Sequence, residues 1–69
     1  MKTVRLLIVE DDAELQSKLK RIYREVFTSH GYASITIETA CDVDEARDLA
    51  KQAAALPFDL VSLDVNLGD

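Results

Sequence analysis

Sixty-nine residues can form one small domain, and a chain of that size hides only about 60% of the surface it exposes when unfolded. Hydrophobic residues at 48% and charged residues at 30% exclude a disordered tail. The net charge of −5 argues against a nucleic-acid surface and suits a cationic partner or a metal ion.

The amino-terminal apolar run is too short for a signal peptide or a membrane span. The single cysteine, Cys41, cannot form an internal disulfide, so a reducing, cytoplasmic setting without membrane attachment is expected. Residues 4–9, a nearly unbroken run of branched apolar side chains, predict a first strand covered on both faces. That run ends in three adjacent carboxylates, Glu10, Asp11 and Asp12. Leu15, Leu19, Ile22, Tyr23 and Val26 then recur at helical spacing, predicting an amphipathic helix from about residue 12 to residue 28. Either Asp11 or Asp12 can cap it; with Asp11 as the cap, Glu14 completes a capping box, and Gly31 stands where an exit turn is needed.

Residues 34–40 alternate Ile35, Ile37 and Thr39 with Ser34, Thr36 and Glu38, the pattern of a second strand with one wetter side, as at a sheet edge. Asp42 and Glu45 form a further capping box. Val43, Ala46, Leu49, Ala50 and Ala53 mark a second helix ending near Ala55, before Pro57. Residues 58–63 predict a third strand, which runs straight into Asp64.

Strand, helix, strand, helix, strand within this length implies an α/β fold with a doubly wound parallel sheet, right-handed crossovers and strand order 2-1-3. Ligands of such sheets sit beyond the carboxyl ends of the strands, where the strand order reverses. Glu10, Asp11 and Asp64 fall at that point. Carboxylates crowded there repel one another unless a cation offsets them. Mg²⁺, which takes hard oxygen ligands and keeps several waters, suits an open site made of Asp11, Asp64 and a backbone carbonyl. The geometry gives Glu10 an outer-sphere role at most.

LLIVEDD before a helix, TACDVDEA opening a second helix and FDLVSLDVNLGD at the end together resemble the amino-terminal half of a response-regulator receiver domain. The likeness covers residues 1–69, read as a partial receiver domain of three strands and two helices. It implies a flavodoxin-like fold that accepts a phosphoryl group from a sensor histidine kinase in two-component signalling, with Mg²⁺ required. By position, Asp64 is implied as the phosphoacceptor, Glu10 and Asp11 as the acidic pair, and Asn66 as the residue lending its backbone carbonyl to the metal. The implied activity is not that of an enzyme beyond self-phosphorylation and self-dephosphorylation. The Ser or Thr of the family's fourth strand and the Lys of its fifth have no counterpart here, so impaired phosphorylation is expected.

An uncovered third-strand edge would template pairing with another chain, predicting a homodimer or higher assembly unless the residues are a segment of a longer protein. A receiver-like interaction module that never takes phosphate is the alternative. A weaker resemblance, of the DVN at residues 64–66 to haloacid-dehalogenase-type phosphatases, fails on Asn66, where that family has a second Asp. The remaining polar residues have plain structural readings: His30 and the basic residues of the first helix solvated, Cys41 packed as a small apolar group, and Ser62 bonded to backbone.

Overall fold

The computed structural model describes residues 2–52 and 57–63. The elements are β1 (Thr3–Val9), α1 (Ala13–Ser29), β2 (Ser34–Ala40), α2 (Val43–Gln52) and β3 (Leu60–Leu63). They form an α/β unit with a three-stranded parallel sheet in the order β2-β1-β3. The most apolar strand takes the centre because both its faces and both its edges are covered. Val4 and Leu6 through Val9 are all buried, and Leu6, Ile8 and Val9 are the largest fully enclosed side chains.

The alternation of side chains along β1 assigns one helix to each face of the sheet. Leu7 and Val9 join Ala40 in a buried cluster against which Ala46 and Leu49 of α2 and Phe58 pack. On the opposite face, the Tyr23 hydroxyl of α1 donates to Ser62 Oγ at 3.1 Å, and Ser62 stands beside Ile8 in the β1–β3 register. Right-handed crossovers require this division, since the chain leaves β1 toward one edge and crosses back over the sheet to reach β3.

One boundary differs from the sequence expectation, one is decided between the two alternatives it offered, and one is not described. The N-cap of α1 is Asp12, whose carboxylate accepts from the backbone N–H groups of Glu14 and Leu15, so no capping box forms between Asp11 and Glu14. The third strand begins at Leu60 and not at residue 58, because Asp59 turns back on β1: its N–H donates to Arg5 O at 2.8 Å, while its carboxylate accepts from Arg5 N at 2.9 Å. The expected extension of α2 through Ala53 to Ala55 lies outside the described residues.

Gly31 ends α1 as its position suggested, with φ at +87°. Gly31 N donates to Thr28 O and Tyr32 N to Phe27 O, the paired bonds of a Schellman turn, whose usual apolar contact is here the edge-to-face pair of Phe27 and Tyr32 with centroids 5.0 Å apart. At α2, Glu45 N donates to Asp42 Oδ1, but the Glu45 carboxylate accepts from Cys41 N, one residue before the cap. Cys41 is exposed and not packed as a small apolar group, because the chain turns outward there to enter the helix. No helix among the described residues is long and apolar enough to cross a membrane.

The apolar stripe of α1 is wider than the sheet beneath it. Leu19, Tyr23 and Phe27 are half-buried, whereas Leu15, Ile22 and Val26 remain 40%, 50% and 45% exposed. In β3 the apolar side chains are likewise open, Leu60 at 41%, Val61 at 46% and Leu63 at 64%.

Candidate functional site

The carboxyl ends of β1 and β3 meet over a crevice of about 210 Å³ lined by Val9, Glu10, Leu15, Leu19, Ser62 and Leu63. Two elements set its width. The parallel register places Val9 beside Leu63, and α1 roofs the space with Leu15 and Leu19. Val9 is followed in sequence by Glu10 and Asp11, and Leu63 by Asp64. The sheet therefore brings alongside each other the two strand ends that precede the acidic residues, at the point where strand order reverses, which is where ligands of open α/β sheets bind.

The three carboxylates after β1 have separate surroundings. Glu10 is the one buried charged residue among the described residues, 3% exposed, and its backbone extends the sheet by one step as its N–H donates to Ala40 O at 2.9 Å. Asp12 is engaged by the helix cap. Asp11 lies between them in a bend and is exposed, which leaves its oxygens open to solvent or a cation. Of the four residues expected at the site, Glu10 lines the crevice and Asp11 follows it in sequence, exposed in a bend, while Asp64 and Asn66 lie outside the described residues.

Among the described residues no group of three or more His, Cys, Asp or Glu side chains could hold a metal ion. Mg²⁺ does not need such a cage, since one or two carboxylates with water and ligand oxygens complete its shell. An accessible carboxylate next in sequence to a buried one, just past the end of β1, is the part of such a shell that the described residues could supply.

Two contributors were not foreseen. Ser62 finds a side-chain partner, the Tyr23 hydroxyl, and not a backbone group; it lines the crevice floor. Gln16 Nε2 donates to Glu10 O at 2.6 Å and to Ala40 O at 3.3 Å. Its spacing carried a usable signal: Gln16 precedes Tyr23 by seven residues, which puts a carboxamide on the sheet-facing side of α1. Comparisons of the chain with protein-family models, with curated proteins and with solved structures found no match.

Proposed function

We propose that the chain is a receiver module of the two-component type, with a doubly wound, flavodoxin-like fold, which accepts a phosphoryl group on Asp64 from a sensor histidine kinase. The observation that carries this reading is the β1–β3 register, in which Val9, the residue before the Glu10–Asp11 pair, lies beside Leu63, the residue before Asp64. The helix cap falls to Asp12, so Asp11 is not consumed in holding the fold and is available as a ligand. Asp11, Asp64 and the Asn66 carbonyl would hold Mg²⁺, with Glu10 in the outer sphere. The bound ion would screen the charge between the attacking carboxylate and the phosphoryl oxygens.

In the transfer, an Asp64 carboxylate oxygen attacks phosphorus, a P–O bond forms and the P–N bond to the donor imidazole breaks. The electron pair returns to the imidazole nitrogen, and the product is an acyl phosphate. The test is amide NMR with Mg²⁺, then with Mg²⁺ and beryllofluoride, alongside mass spectrometry after incubation with a small acyl-phosphate donor. Mg²⁺ should shift the amides of residues 10–12, beryllofluoride should shift them further, and a single phosphoryl adduct should appear and be lost in Asp64→Asn. Absence of any Mg²⁺ response would refute the reading.

A second reading, an interaction module that keeps the fold without taking phosphate, is favoured by the open apolar side chains of β3. Leu60–Leu63 carries no charged residue, and β1 pairs with only one of its edges. An uncharged, apolar strand edge of this kind templates pairing with another strand. Its occupant is a second copy of the chain, because an antiparallel β3–β3 pair about a two-fold axis joins two surfaces that match by symmetry. Mg²⁺ binding without adduct formation would select this reading over the first.

A further inference from the structure

We infer that Gln16 is the positioning residue of the acidic turn, tying the peptide between Glu10 and Asp11 to the ends of β1 and β2. The inference rests on the proposed metal site for its purpose, but the tie itself is a matter of geometry. Gln16 Nε2 carries two hydrogens and meets two carbonyl oxygens, Glu10 O at 2.6 Å and Ala40 O at 3.3 Å. Ala40 O also accepts from Glu10 N at 2.9 Å. One side-chain amide thus closes a small ring that joins the last residue of β2, the residue after β1 and the first turns of α1.

The consequence for Asp11 follows from peptide planarity. Glu10 O and Asp11 N belong to one rigid plane, so a donor fixed on Glu10 O also fixes the direction in which the chain enters Asp11. On the far side, Gln16 N donates to Asp12 O at 2.9 Å and the Asp12 carboxylate caps the helix. The backbone is therefore pinned on both sides of Asp11, once through the Gln16 side chain and once through its main chain. Asp11 is exposed, and its carboxylate is carried on a backbone held by hydrogen bonds on either side. Groups that orient a metal-binding residue from behind in this way commonly govern affinity without touching the ion.

Two substitutions separate this role from simpler ones. Gln16→Met keeps the length and removes both donors. Gln16→Glu replaces donors with acceptors facing two carbonyl oxygens, while adding a negative charge close to the acidic turn. If Gln16 were only an electrostatic neighbour, the added charge would tighten Mg²⁺ binding; a positioning role requires the opposite. The experiment measures amide hydrogen exchange at Glu10 and Leu7 together with Mg²⁺ titration, on the wild type and both variants. Exchange at Glu10 should rise about tenfold, the worth of a net hydrogen bond, with Leu7 in mid-strand unchanged. Mg²⁺ affinity should fall about 10- to 100-fold in both variants. Equal acceleration at Glu10 and Leu7, or unchanged or tighter Mg²⁺ binding in Gln16→Glu, would overturn the inference. A wild type without any Mg²⁺ response whose Glu10 amide still loosens selectively in Gln16→Met keeps the tie and removes the receiver reading instead.

Discussion

At the scale of single residues, a difference of one position decides which of two neighbouring aspartates caps the helix. Asp12 sits where its carboxylate reaches the N–H groups of Glu14 and Leu15; Asp11, one residue earlier, reaches neither. Asp12→Ala should therefore cost about 1 kcal/mol in urea unfolding, the usual worth of an N-cap, and leave the Mg²⁺ response of the folded protein in place. Asp11→Ala should do the reverse, abolishing the Mg²⁺-induced amide shifts with little change in stability. If Asp11→Ala proved the more destabilising of the two, the assignment of roles would be wrong. The sequence offered both aspartates as caps because capping depends on which residue adopts extended backbone before the helix, and Asp12 does so with φ −90° and ψ 112°. Composition alone does not specify that choice. Cys41 was misjudged for a related reason: a residue just past a strand follows the turn outward, whatever its hydrophobicity.

At the scale of elements, the order of strands and helices was legible because it is written in local periodicity, two for strands and 3.6 for helices. The crevice was legible as far as the switch-point rule goes. Contacts between distant segments were not, and they set the details: Tyr23 with Ser62, Gln16 with Glu10 and Ala40, and Asp59 with Arg5. The last of these starts β3. Asp59 exchanges two hydrogen bonds with the backbone of Arg5, and the Arg5 guanidinium lies over the Phe58 ring at 5.1 Å, so two consecutive residues, Phe58 and Asp59, fasten the approach to a strand of only four. Asp59→Ala should cost about 1 kcal/mol, the net worth of one such bond, and should accelerate amide exchange in Leu60–Leu63 more than in β2. Uniform acceleration through the sheet would show that the fastening acts on the whole domain and not on β3.

At the scale of the whole molecule, a small domain leaves part of its apolar surface uncovered. Among the described residues the large exposed apolar side chains lie along one flank of α1, at Leu15, Ile22 and Val26, on β3, and at Val43 where α2 begins. Self-association through β3 predicts a dimer in light scattering that reverts to monomer in Val61→Lys, since a lysine on a strand edge blocks further pairing, while circular dichroism stays unchanged. A wild-type chain that remains monomeric as concentration rises would remove β3 as a meeting surface. The same strand raises a question of alignment. A four-residue strand has little of its own to resist sliding, and a shift of one residue along β1 would exchange the two sides of Leu60, Val61, Ser62 and Leu63, turning Ser62 away from Tyr23. The Arg5–Asp59 ring acts as an index mark against that slip. By fixing where the strand begins counting, it also keeps Leu63 beside Val9, so that the two strand ends followed in sequence by acids stay level with each other.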